Sequence, residues 1–260
     1  MKNRYKNIIF LSLAMGIGLA VSFASMAKKS AKKPVAKVVA PVDTVFVVDT
    51  IKLERLAKIA KDLQFDQENI SISGKLSVHN GSDSSQNVSK LPYRLIKRGT
   101  TFYSSLGLTE TLNANGLYIY VDKGQKKILV SQGKKITAQN ILPDMQQLIK
   151  RMKEEEYQIR ENVVNATENR ISLLNPNHIQ CKEYAIYFDK TNLHVKGVSI
   201  RMSNIDDPLN AKKDKTVDFR YANTLADASK LMSTRILRKL AKNQYSTTDA
   251  YKGYEVIVRM

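Results

Sequence analysis

His178 and Cys181 form a His-x-x-Cys pair, where an imidazole and a thiol fall within one turn of chain. A thiolate beside a base is the minimum for nucleophilic attack, and the same two groups could supply half of a zinc site. Nothing in the sequence completes either arrangement. There is one Cys in the chain, so an internal disulfide, a CxxC redox pair and a four-Cys zinc site are excluded. His79 and His194 lie elsewhere, and no carboxylate is placed to orient His178. Asp206-Asp207 precedes Pro208 in a polar loop over 204–215, and Glu154-Glu155-Glu156 closes a helical stretch; both read as solvated carboxylates. No Gly-x-Ser-x-Gly elbow, P-loop, Gly-x-Gly-x-x-Gly or His-Glu-x-x-His occurs. The sequence is therefore read as that of a non-enzymatic protein with no catalytic residue, no metal ligand and no cofactor.

With chemistry set aside, charge and export carry the next step. Lys and Arg exceed Asp and Glu by 18 in a chain of 260 residues, which favours anionic partners. Residues 1–27 begin with Lys2, Arg4 and Lys6, continue through an apolar run from Ile8 to Phe23, and end on small residues around Ser22–Ala27. That is the layout of a secretory signal peptide; the alternative is an uncleaved anchor, for which the run is near the short limit. Export makes a nucleic-acid partner unexpected. An anionic membrane surface or an envelope protein partner fits the basic charge better. Residues 28–44 read as a basic linker, Lys-rich with Pro34 and Pro41.

Residues 45–260 read as a single domain. Asp49 or Thr50 can cap a helix running to about Gln64, with Ile51, Leu56, Ile59, Ala60 and Leu63 on one face. Ile70–Val78 alternates apolar and polar residues. Pro92–Lys97, Thr101–Leu106, Glu110–Leu112, Leu117–Val121 and Lys127–Val130 then follow across Gly- and Asn-containing turns, which predicts an antiparallel meander. A helix is predicted over 137–156. Strands are predicted over 158–165, 170–174, 183–189, 194–202 and 216–221, another helix over 225–242 striped by Leu231, Ile236, Leu237 and Leu240, and a last strand over 254–258. The fold class is α+β: a strongly curved antiparallel sheet of about ten or eleven strands, a half-open barrel, with helices covering its concave face. The space enclosed could be a ligand cavity or an ordinary filled core.

Within the meander, Lys97-Arg98-Gly99 is followed by Phe102-Tyr103 and then by Asn113-Ala114-Asn115-Gly116-Leu117-Tyr118-Ile119-Tyr120. This series, over residues 97–131, resembles the periplasmic lipoprotein carrier (LolA-like) superfamily. In that family an early strand ends in Lys-Arg-Pro, and a later hairpin reads Ser-Asp-Gly-Lys-x-Leu-Trp-x-Tyr. Leader, first helix, meander, mid-chain helix and second strand set come in the family's order. Here Gly99 stands for the Pro, no Trp is present, and the C-terminal helix and Tyr-rich strand have no close counterpart. The resemblance implies acyl chains, or a lipoprotein, held in a hydrophobic cavity beneath a helical lid, with Arg98 as the latch of the lid.

An acyl cavity requires apolar side chains and a few polar groups at its mouth. The candidates are Phe102, Leu106, Leu112, Leu117 and Ile119 on the meander, and Leu142, Met145, Leu148, Ile149 and Met152 on the mid-chain helix. The expectation is an exported, periplasmic binding protein. The alternative is a structural or sensory envelope module of the same fold, with a filled core and a basic surface that docks on a protein or an anionic polymer.

Overall fold

The computed structural model describes residues 49–60, 69–133, 152, 154–241 and 244–259. The leader, the linker and most of the 137–156 segment, including Leu142, Met145, Leu148 and Ile149, lie outside the described residues. Among the described residues no helix is long and apolar enough to cross a membrane.

Helix α1 (Thr50–Ala60) starts where the sequence provides a cap. The Asp49 carboxylate accepts the backbone N–H of Lys52 at 3.0 Å and pairs with the Lys52 ammonium at 2.7 Å. Its buried stripe is Leu53, Leu56, Ile59 and Ala60, at three- and four-residue steps. Ile51 was expected on that stripe but is 78% exposed, because it lies about 200° around the helix from Leu53.

The strands follow as β1 (Asn69–Asn80), β2 (Val88–Arg98), β3 (Thr101–Leu106), β4 (Thr109–Ala114), β5 (Leu117–Asp122), β6 (Lys127–Gln132), β7 (Gln158–Val163), β8 (Glu168–Leu174), β9 (Cys181–Asp189), β10 (Val195–Met202), β11 (Lys215–Asn223), β12 (Leu237–Ala241), β13 (Gln244–Thr247) and β14 (Glu255–Arg259). Twelve of them form one curved sheet that does not close into a barrel, in the order β14-β6-β5-β4-β3-β2-β1-β11-β10-β9-β8-β7. That is slightly more than the ten or eleven expected. Every pairing is antiparallel except β14 with β6, which is parallel. The fold is α+β with a half-open sheet.

Turn chemistry sets the register of the meander. Asn115 and Gly116 both have positive φ, 52° and 72°, and leave a two-residue loop between the paired Ala114 and Leu117. This is the backbone a tight hairpin demands, and Asn-Gly adopts it at least cost. Pro92 is tolerated inside a central strand because β3 ends beside it. Its carbonyl accepts from Gly107, so the N–H it lacks would point to where β3 has already turned away.

The alternation of side chains exposes the main architectural feature: the apolar side of the sheet changes face along its width. On the first face, α1 packs Leu53, Leu56 and Ile59 with Met152, Tyr157, Ile171, Leu173, Phe188 and Val195, over β7–β10. The same face continues across β11, β1 and β3 with Val217, Phe219, Ile72, Leu76 and Leu106. On the opposite face the successive partners Ile96, Tyr103, Leu112, Ile119 and Val130 form a second core across β2–β6.

That second core is roofed by the C-terminal segment, where the predicted helix over 225–242 is not formed. Instead the chain makes two 3-10 turns, Ala228–Leu231 and Ser233–Arg235, and the β12–β13 hairpin. Long-range hydrogen bonds claim the backbone a helix would need. The Ile236 carbonyl accepts from the Thr248 N–H at 3.1 Å, and the Arg235 carbonyl accepts from the Thr248 hydroxyl at 2.8 Å. Ile236 and Leu237 are buried side by side, while Leu240 of the supposed stripe is 67% exposed. Tertiary contacts override helix propensity here.

Candidate functional site

Three regions carry the side chains with functional potential. The first is the His178–Cys181 pair, and its geometry is that of a turn, not of a catalytic dyad. The Nδ1 of His178 accepts the backbone N–H groups of Cys181 and Gln180, at 3.0 and 3.2 Å. Its proton therefore sits on Nε2, which lies 3.5 Å from Glu155. The Cys181 thiol donates to the Glu183 carbonyl instead, and Tyr157 donates its hydroxyl to the Cys181 carbonyl. Burial pushes the thiol up to about 11, so it stays protonated at neutral pH. The arrangement closes the entry to β9. Among the described residues no three His, Cys, Asp or Glu side chains group to hold a metal ion.

The second region is an apolar belt on the α1 face, beside the helix. Ile70, Leu91, Tyr93, Leu95, Val198, Met202 and Tyr221 flank the buried cluster on β1, β2, β10 and β11 and remain partly exposed. Aromatic rings organise it. Tyr93 meets Phe219 edge-on at 5.0 Å, and Phe219 stacks on Tyr221 at 5.2 Å. Burial raises the Tyr93 phenol far above its ordinary range. Towards β3–β6 the face turns polar along the row Leu95, Ser104, Thr111 and Tyr120. Burial raises the Tyr120 phenol to about 12, and its hydroxyl makes no hydrogen bond among the described residues. A buried orphan hydroxyl at the margin of an apolar belt is a polar group awaiting a partner.

The third region is a cleft of about 690 Å³ on the opposite face, where the C-terminal roof gives out. Ser73, Lys75, Arg94, Ser105 and Arg220 line it, with Glu168 as its one carboxylate. Arg220 pairs with Glu168 at 2.6 Å and with Asp218 at 3.4 Å, and its guanidinium lies over the Tyr187 ring. Gly197 permits this posture, since a Cβ there would come within 2.6 Å of the Arg220 Cδ.

No family model and no curated protein matches the chain. Among solved structures its fold is similar to that of an uncharacterized conserved protein from Thermus thermophilus, at 10% identity and TM-score 0.37, over 79% of this chain and 98% of that one. It is similar to a LolA superfamily protein from Nitrosomonas europaea at 11% identity and TM-score 0.26, over 70% and 94% of the two chains. It is also similar to a DUF1329 family protein from Desulfovibrio piger at 10% identity and TM-score 0.24, over 71% and 97%.

Among the described residues, the sequence-predicted lining is divided between the two faces of the sheet. Leu112, Leu117 and Ile119 sit in the core beneath the C-terminal roof, Leu112 and Ile119 fully buried. Phe102 and Leu106, by strand alternation, face the other side, Leu106 within the β1–β3–β11 cluster. Met152 is 2% exposed and packs with α1 on that same side. Arg98 is exposed at the β2–β3 turn and shares the roofed face with Ile96, away from α1 and Met152. The neighbouring Lys97 is the one directed to the α1 face. Sequence reasoning missed Tyr93, Tyr120, Lys75 and Arg94. The signal for Lys75 was present as polar positions in alternation, Ser73-Lys75-Ser77, within a strand otherwise apolar on its other side.

Proposed function

We propose that this chain is an exported, non-catalytic binding protein of the periplasm that holds an acyl chain or another hydrophobic segment on the α1 face of its sheet. The observation that carries the reading is the belt of partly exposed aliphatic and aromatic side chains beside α1, ending in the orphan hydroxyl of Tyr120. Apolar area with one or two polar groups at its rim is what an amphiphile requires. Met152 packs with α1 on the same face as the belt. A lipid or a lipoprotein acyl group fits the chemistry, and the partial exposure of Tyr93 and Leu95 leaves surface for it to cover.

Two measurements test this. Native mass spectrometry of gently extracted protein should find lipid-sized adducts, and a fluorescent fatty-acid probe should bind with saturation. Leu95→Gln should weaken the probe by about tenfold, since an amide would face the chain without a partner. Tyr120→Phe should weaken a carboxylate-bearing probe by about fivefold, as expected for one hydrogen bond, while leaving the melting temperature unchanged or higher. Lipid-free protein that gives no saturable probe signal would refute the proposal.

A further inference from the structure

The cleft on the roofed face contains a charge arrangement that the fold does not explain. Lys75 of β1 lies directly opposite Arg220 of β11, and Arg94 of β2 is its diagonal neighbour on the other side. Like charges directly opposite each other in a sheet destabilise it. Arg220 is compensated by Glu168 and Asp218. Lys75 and Arg94 form no salt bridge among the described residues, and the Arg94 Nε is buried without a hydrogen bond. Asp227 feels Arg94 at longer range, but its carboxylate is already engaged by the N–H and hydroxyl of Ser229. Ser73 and Ser105 are the direct register partners of Arg94 on either side, so two hydroxyls flank the guanidinium in one row across three strands.

A guanidinium, an ammonium and two hydroxyls around an open cleft of about 690 Å³ match the donors that a tetrahedral oxyanion takes up. We infer that Lys75 and Arg94, with Ser73 and Ser105, form a binding site for a phosphate group, either free or at the head of an anionic lipid. The site lies across the sheet from the belt beside α1, so it cannot receive the head group of a chain bound there. It stands whether or not the acyl proposal does.

The test compares the full chain with Lys75→Gln/Arg94→Gln. Millimolar inorganic phosphate should raise the melting temperature of the wild type and not that of the double variant. Vesicles of phosphatidylglycerol in phosphatidylcholine should retain the wild type at least tenfold better than the variant, with inorganic phosphate competing. If the thermal response separates the two proteins and the vesicles do not, the site takes free phosphate; if both do, it takes the lipid head group as well. In phosphate-free buffer the variant should melt at or above the wild type, because a repulsive pair has been removed. Equal responses of the two proteins to both probes would overturn the inference. So would a variant that melts well below the wild type, which would make the pair part of the fold. Lys75→Gln alone, at an exposed position, gives the same comparison with less perturbation.

Discussion

Glu110→Ala is expected to cost about 3–5 kcal/mol of stability, seen as a lowered midpoint in urea denaturation. Glu110 is 4% exposed near the start of β4, on the face roofed by the C-terminal segment. Its two oxygens are bound by two cations, Arg235 at 2.7 Å and Lys123 at 2.6 Å. Arg235 also donates to the Tyr251 hydroxyl at 2.7 Å, so one guanidinium ties its own 3-10 turn, Ser233–Arg235, and a further one, Asp249–Tyr251, to the sheet. Removing the carboxylate leaves a largely buried guanidinium without its counter-charge, beside the Tyr103 and Tyr251 rings. The penalty for a stranded charge is large where the penalty for losing a surface pair is small. Replacing both partners with apolar residues, as in Glu110→Leu/Arg235→Met, should recover most of the loss. A double variant as unstable as the single one would mean that the clasp acts through geometry and not through charge.

The same clasp fixes an acid limit. Burial alone would raise the Glu110 carboxyl, but hydrogen bonds from Lys123 and Arg235 outweigh it and hold the group below its ordinary value of 4.5. A carboxyl depressed in the folded state contributes stability that is complete above the unfolded value and is lost as pH falls through the folded one. The wild type should therefore lose stability progressively below pH 4.5. Glu110→Gln should show a shallower decline over that range.

How far the sequence carried this picture depends on which interactions are local. Strand positions were legible because alternation and turn residues are short-range signals. Asn115-Gly116 announces its hairpin whatever surrounds it, and the Asp49 cap announces α1. The exchange of faces was not legible. Leu106 and Leu112 look alike in sequence, yet one belongs to the α1 side and the other to the roofed side, since both faces are apolar in different halves of the sheet. A pattern of period two says that a face is buried without saying what buries it. The C-terminal segment misled for the same reason. Leu231, Ile236 and Leu237 fit a helical stripe, but the partners that decide their conformation are Thr248, beyond the reach of a helical turn, and Glu110, far away in the chain. The proposed phosphate site draws Lys75 and Ser73 from β1, Arg94 from β2 and Ser105 from β3, and only the register shows that they adjoin.

Asp214→Ala should be comparably damaging, at about 3–5 kcal/mol, for an ion pair that the sequence hides entirely. Lys182 follows the unremarkable Cys181 at the start of β9 and is 1% exposed, with its ammonium 2.7 Å from Asp214 Oδ1. The other carboxylate oxygen has no hydrogen bond and lies 3.9 Å from the Arg201 Nε. Asp214 also joins two loops to the sheet: its carbonyl accepts from Gly81 at 3.0 Å, and the Ser82 hydroxyl donates to the adjacent Lys213 carbonyl at 3.0 Å. Gly81 allows this approach, because a Cβ would meet the Lys212 carbonyl oxygen at 1.9 Å. Alanine at 214 strands the Lys182 charge in a buried site without its counter-charge, so the 81–87 and 204–214 loops should loosen together. Hydrogen exchange should show that loosening as faster exchange at Gly81 and Asp214. The paired change Lys182→Met/Asp214→Leu should come within about 1 kcal/mol of the wild type, because dehydrating two charges costs nearly as much as their attraction returns. A loss of less than about 1 kcal/mol in Asp214→Ala itself would show that the lysine escapes to solvent, and that the loops are held by their backbone bonds alone.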